Sequence, residues 1–215
     1  SEMCIRDSTA MAQAAAAAPT GMSAVLSPQE DVIREAIEAA GLTPANANGS
    51  GQIVAAGSLE ALEAFAANPP ERSRVVPLKV AGAFHTDYMA PALEPLRELA
   101  GSLSPQDPAS VLLSNRDGRA VASGQANLES LIEQVCRPVR WDLCMEEMKR
   151  REVTQLIELP PAGTLVGLAK RAMRGVPASV KSALEQIPAG AHPMDVMRTG
   201  VSALGCTLSE KDDHN

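Results

Sequence analysis

GMSAVLSPQEDVIREAIEAAG, residues 21–41, opens with a short apolar run and passes straight into a punctuated helix. Ser27 stands where an N-cap belongs, Pro28 at the first helical position and Glu30 three residues after the serine, the pattern of a capping box. Val32, Ile33, Ala36, Ile37 and Ala40 then fall on one face, and Gly41 suits a left-handed stop. Downstream, TPANANGSG (43–51) reads as loop-like with at most one short extended piece, and QIVAAG (52–57) as a buried strand. SLEALEAFAA (58–67) is a second amphipathic helix capped by Ser58, and RVVPLKV (74–80) another strand. The order β-α-(β)-β-α-β is that of a ferredoxin-like unit, with two helices on one face of an antiparallel sheet.

Beyond Gly82 the texture changes. DYMAPALEPLRELAGSL is helical by its Met89, Leu93, Leu96 and Leu99 spacing, with a bend expected at Pro95. SVLLSN (110–115) reads as a buried strand and RDGRAV as a turn into a further one. NLESLIEQVCRP is a helix that must stop before Pro138, and WDLCMEEMKRR a helix with Asp142 near its start and Lys149, Arg150 and Arg151 at its end. VTQLIEL is a strand, and PPAGTLVGLAKR turns into a helix. Such alternation predicts an α/β fold with a mostly parallel sheet in this part of the chain.

The totals limit the function classes. Across 215 residues, 45% hydrophobic and 21% charged content is that of a soluble globular protein. The formal net charge of −7, with 19 Lys and Arg in no basic stripe, disfavours nucleic acid as a partner. No apolar run approaches the roughly 18–20 residues of a membrane span. Cys4, Cys136, Cys144 and Cys206 form no CxxC pair and no metal-like spacing with histidine, which predicts reduced thiols in a cytoplasmic setting and no metal site.

Chemistry centres on GAFHT (82–86). His85 follows a strand and precedes a helix on a glycine-containing turn, where α/β proteins tend to carry catalytic groups; a surface or capping histidine fits the spacing equally well. The sequence contains no GxSxG nucleophile elbow, and no local feature marks a cysteine as a thiolate. Gln134 reads as a helix-end glutamine, ANANGSGQ (45–52) as an ordinary loop, and PPAGT (160–164) either as an anion-binding helix start or as a plain turn.

ANANGSGQIVAAG, VAGAFHTDYMAP, LLSN, EQVCRPVRW and IELPPAGTLVGLAKR, in that order and spacing, resemble the malonyl-CoA:acyl carrier protein transacylase family over about residues 9–182. The resemblance implies a ferredoxin-like small subdomain plus the C-terminal part of an α/β-hydrolase-like acyltransferase core. It implies malonyl transfer from coenzyme A, through an acyl-serine, to the phosphopantetheine thiol of acyl carrier protein in fatty acid biosynthesis. No cofactor is expected beyond these two substrates. His85 matches the family's base and Gln134 the position whose backbone carbonyl orients it. Asn48 and Gln52 match polar positions on the small subdomain, and Phe84 resembles the residue of malonyl-selecting relatives.

Residues 1–8, SEMCIRDS, match nothing in the family and read as a non-native leader. Asp7-Ser8 stand where the family's carboxylate-binding Arg-Gly pair would be, with Arg6 out of register. Residues 9–20 read as the remnant of a core helix, 21–80 as the small subdomain, 81–205 as acyltransferase core and 206–215 as a polar tail. The family's serine elbow, GHSxGE, is not in the sequence. That predicts a truncated chain, inactive alone. The alternatives are a non-catalytic module binding carrier protein or CoA, and a piece of a polyketide synthase acyltransferase domain.

Overall fold

The computed structural model describes residues 10–159 and 163–180. The expectations for the leader, for the Asp7-Ser8 site, for Pro160 to Ala162 and for everything after Val180 lie outside the described residues. The chain divides into two compact units, the first ending in sequence at Arg151 and the second beginning at Glu152.

In the first unit a helix over residues 10–16 (α1) precedes β1 (Thr20–Leu26), α2 (Glu30–Ala39), β2 (Thr43–Gly49), β3 (Gln52–Ser58), α3 (Leu59–Ala67) and β4 (Arg74–Pro77). The four strands pair antiparallel in the order β4-β1-β3-β2. This is the ferredoxin-like arrangement, and its two faces are legible in the register. Val25 lies opposite both Ile53 and Val75, and these pack with Ile33 and Ile37 of α2 and Leu62 and Phe65 of α3. Met22 lies opposite Ala56 on the other face and joins Ala45, Val54 and Ala83.

Three local expectations are corrected here. TPANANG is a full strand, not a loop. Register shifts between Pro44 and Asn46 and between Ala47 and Gly49 let it pair along β3 despite its weak strand propensity. β5 (Val139–Arg140) then pairs parallel to its outer side, so a strand from beyond residue 80 completes a five-stranded sheet. The capping box at α2 does not form. Ser27 Oγ accepts from Gln29 N at 3.2 Å, and the Glu30 carboxylate instead takes the Gly51 N–H at 2.6 Å, tying the helix start to the β2–β3 turn. Finally, β4 stops at Pro77 rather than Val80, although Leu78 N still donates to Met22 O. Gly41 does stop α2 in the left-handed region, at φ 70°, and Ser58 caps α3 through Ala61 N as expected.

The helix after His85 divides. Asp87–Ala92 is a 3-10 turn, and α4 runs Leu93–Ala100. Pro95 has no N–H to give to residue 91, so the α-helix restarts with Pro95 in its first turn, where no donor is needed. α5 (Gly124–Gln134) is capped by Ser123, whose Oγ accepts from Ala126 N, and α6 (Trp141–Arg150) carries Asp142 first and Lys149 and Arg150 last. Met89, Ala92, Leu96 and Ala100 pack with Leu128, Ile132 and Val135 of α5 and with Ala10, Ala14 and Ala15 of α1.

SVLLSN is not a buried strand. Val111 is 61% exposed, and a single antiparallel bridge, Leu113 to Ala120, is its only strand-like pairing among the described residues. What fixes this stretch is its turn. Gly118 N donates to Ser114 O, and the Ser114 and Ser130 hydroxyls meet at 2.9 Å in the interior.

In the second unit β6 (Leu156–Glu158) and β7 (Ala178–Val180) pair parallel, with α7 (Thr164–Ala172) between them in sequence. The expectation of a mostly parallel sheet is met among the described residues only by this pair and by the short β5 strand beside β2. Each of the Gly163, Leu165 and Val166 N–H groups donates to the Glu158 carboxylate at 2.9–3.0 Å. The anion-binding helix start proposed for PPAGT is thus occupied by the chain's own carboxylate. Its bonds from the Val166, Gly163 and Leu165 amides outweigh the opposing desolvation and lower the Glu158 pKa below its ordinary value of 4.5. A depressed carboxylate stabilises the fold above its unfolded pKa and stops doing so as pH falls through the folded value. The Leu165 and Val166 amide shifts are therefore expected to titrate below pH 4.5. In Glu158→Gln that titration is expected to vanish; an unchanged titration curve would rule out Glu158 as its source.

Candidate active site

The GAFHT turn is built from four directions. Gly82 packs so closely on α1 that a Cβ there would lie 2.7 Å from the Ala15 Cβ and 3.2 Å from its Cα, so only glycine fits. Ala83 is fully buried; its N–H donates to Thr20 Oγ1 at 3.0 Å and its carbonyl accepts from Thr86 Oγ1 at 2.6 Å. Thr86 then caps the following 3-10 turn by accepting from Tyr88 N. Phe84 is half-buried and touches both the helical cluster around Met89 and the sheet-face cluster around Val54 and Ala56.

His85 itself has φ 62°, in the left-handed region that few side chains occupy without enforcement. Such strain costs about 1–3 kcal/mol and persists where surrounding structure over-determines it. The ring explains the conformation. Nδ1 lies 2.8 Å from the Gln134 backbone carbonyl, 49 residues away. A carbonyl can only accept, so Nδ1 carries the proton and Nε2 presents a lone pair. That is the tautomer of a general base.

Gln134 ends α5, and its side chain is buried rather than on the helix surface. Its Nε2 donates to Arg137 O at 2.8 Å, closing the turn that follows the helix. The carbonyl that faces His85 is therefore held by the residue's own amide. From there the chain reaches β5, where Val139 pairs with Asn46 and Arg140 with Ala47. The histidine's acceptor is linked in this way to the small sheet.

The sequence-expected residues divide into two groups. His85 and Gln134 meet directly, with Phe84 beside them in the chain. Asn48 sits at the register shift of β2, and Gln52 begins β3 opposite Gly49. Gln52, Val54 and Ala56 alternate onto one face, the face that also receives Ala83 and Phe84. Thr20 and Thr86 carry no motif, and sequence reasoning missed both.

Neither described cysteine competes for the role of nucleophile. Burial, then Asp87, raises the Cys136 thiol pKa, and burial, then Asp142 and Asp117, pushes Cys144 up to about 11. Among the described residues no three His, Cys, Asp or Glu side chains gather as metal ligands, and no helix is long and apolar enough to cross a membrane.

No family model matches the chain. The malonyl CoA-acyl carrier protein transacylase of Mycobacterium tuberculosis is 53% identical over 173 residues, covering 80% of this chain and 57% of the relative. The crystal structure of MCAT from the same organism superposes with a TM-score of 0.81 at 46% identity, over 92% of this chain and 62% of that one. Over most of its own length the chain is similar to malonyl CoA-acyl carrier protein transacylases. More distant family members, such as that of Bacillus subtilis, are 33% identical over 132 residues. MCAT from Streptococcus pneumoniae shares the fold with a TM-score of 0.77 at 29% identity. The chain spans somewhat over half the length of the curated family members it matches most extensively.

Proposed function

We propose that this chain supplies the acid–base part of an acyl transferase that moves malonyl from coenzyme A to the phosphopantetheine thiol of acyl carrier protein, in fatty acid biosynthesis. The observation that carries the reading is the 2.8 Å contact between His85 Nδ1 and the Gln134 carbonyl, which leaves Nε2 free to accept a proton.

In the first half-reaction Nε2 takes the proton of a serine Oγ as that oxygen attacks the malonyl thioester carbonyl. Collapse of the tetrahedral intermediate expels the CoA thiolate, and the imidazolium returns the proton to that sulfur. The second half runs in the opposite sense. Neutral Nε2 deprotonates the carrier thiol, the thiolate attacks the acyl-serine ester, and the imidazolium protonates the departing serine oxygen. A neutral carbonyl behind Nδ1 orients the ring but stabilises the imidazolium less than a carboxylate would, so the base resets readily between the two halves. The sequence holds no serine elbow, so the serine comes from outside these 215 residues. Neither half needs a metal or a bound cofactor, and the free thiols of Cys136 and Cys144, the two described cysteines, suit a cytoplasmic setting.

Asn48 and Gln52 are assigned to substrate contact from the small sheet, and Phe84 to acyl selection. The Phe84 ring packs against two apolar clusters, and on this reading it is the group that disfavours an α-methyl on the acyl chain. The test is transfer by a full-length protein carrying this chain, read as the mass gain of holo-acyl carrier protein with malonyl-CoA or methylmalonyl-CoA. Transfer of malonyl is expected, and Phe84→Ser should narrow the preference over methylmalonyl by roughly 10–200-fold, the range for one methylene in a pocket. Binding of carrier protein without any mass gain would favour the non-catalytic module instead.

A further inference from the structure

His85 sits in the left-handed region, at φ 62°, with its ring on the Gln134 carbonyl. Two residues upstream, Ala83 is gripped on both sides, its N–H, in the Gly82–Ala83 peptide, by Thr20 Oγ1 and its carbonyl, in the Ala83–Phe84 peptide, by Thr86 Oγ1. Thr86 is a near neighbour in sequence and caps its own turn. Thr20 lies 63 residues away, at the first position of β1, opposite Ser58, and is 7% exposed. Its hydroxyl crosses from the small sheet into the turn that carries the base.

We propose that Thr20 is a positioning residue for His85, its hydroxyl fixing the Ala83 peptide so that the imidazole stays on the Gln134 carbonyl. This rests on the reading of His85 as the base. Three observations favour positioning over simple packing. Ala83 N–H is wholly enclosed, and Thr20 Oγ1 is the acceptor it has. Gly82, next to it, is pressed on Ala15, so the turn cannot shift toward α1 to find another acceptor. Thr20 anchors the Gly82–Ala83 peptide and Thr86 the Ala83–Phe84 peptide, the start of the turn that holds His85 at its strained φ, so freeing that start lets the turn relax and carries the ring off the carbonyl. Thr20 also donates weakly to Ala18 O at 3.5 Å, which leaves its lone pairs directed at Ala83.

The test is made on the 215-residue chain by 15N imidazole and amide spectra, with His85 assigned through His85→Gln. The unsubstituted chain should show His85 as the Nδ1-protonated tautomer and Ala83 among the slowly exchanging amides. Thr20→Val keeps shape and removes the acceptor; it should speed Ala83 exchange about tenfold and spread His85 over both tautomers. Thr20→Ser should restore both signals. A Thr20→Val chain that melts lower yet keeps the tautomer and the exchange rate would reduce Thr20 to packing and overturn the proposal. Should Thr20→Val not fold, fast Ala83 exchange in the unsubstituted chain, or a Thr20→Ser chain with a lost tautomer, overturns it equally. Because the readout is the ring itself, a correct tautomer with no malonyl transfer would sink the functional reading and leave Thr20 in place.

Discussion

His85→Ala, in a full-length protein carrying this chain, is expected to lower malonyl transfer about 10³-fold, within the 10²–10⁴ range of a positioned general base. The loss should fall on turnover rather than on KM for malonyl-CoA, since the imidazole acts on the proton in flight and contributes little to ground-state binding. The partner residue supplies the control. Gln134 contacts the ring through its main chain, so Gln134→Ala retains the acceptor and removes the Nε2 bonds to Arg137 O and Pro138 O that steady the turn. A much smaller loss is expected there. Equal losses for the two variants would mean that the Gln134 side chain takes part directly.

The largest stability effect is expected at Met89. It is wholly buried, four residues after His85, in the cluster that joins the 3-10 turn to α1, α4 and α5. Met89→Ala should cost about 2–5 kcal/mol, the transfer term plus a cavity among helices that cannot close over it. Met89→Leu, nearly equal in volume, should cost less than about 1.5 kcal/mol. Phe84 packs on the cluster and Val135 belongs to it, the sequence neighbours of His85 and Gln134. Met89→Ala should therefore loosen the Nδ1 contact even below its melting temperature, which denaturant titration and the imidazole spectra can follow together.

Much of the small sheet was legible because its signals are local. Ser58 caps α3, Gly41 ends α2, and the alternation of Ile53, Val54, Ala55 and Ala56 reads as a strand buried on both faces. β2 was not legible. Pro44, two asparagines and three small residues make a poor strand by propensity, and only pairing with β3 and β5 on either side holds it extended. Glu30 shows the same competition at one residue, its carboxylate drawn from a local capping role to the Gly51 amide by tertiary contact. SVLLSN misled in the opposite direction, since an apolar run implies burial only where something covers it.

At the site, the pairing of His85 with Gln134 came from resemblance and not from spacing. A backbone carbonyl has no side-chain signature, so no motif could have announced it. Thr20 was hidden for a related reason, a single hydroxyl acting across 63 residues of chain.

The central claim is that His85 is a base whose serine lies outside these residues. Joining the chain to the upstream part of its Mycobacterium tuberculosis relative, then incubating with labelled malonyl-CoA and denaturing, tests it most directly. The account predicts stable label on the supplied serine, passage of that label to holo-acyl carrier protein, and no label on the 215 residues alone. Stable label on the 215 residues by themselves, or a folded fusion that never acylates its serine, would contradict it.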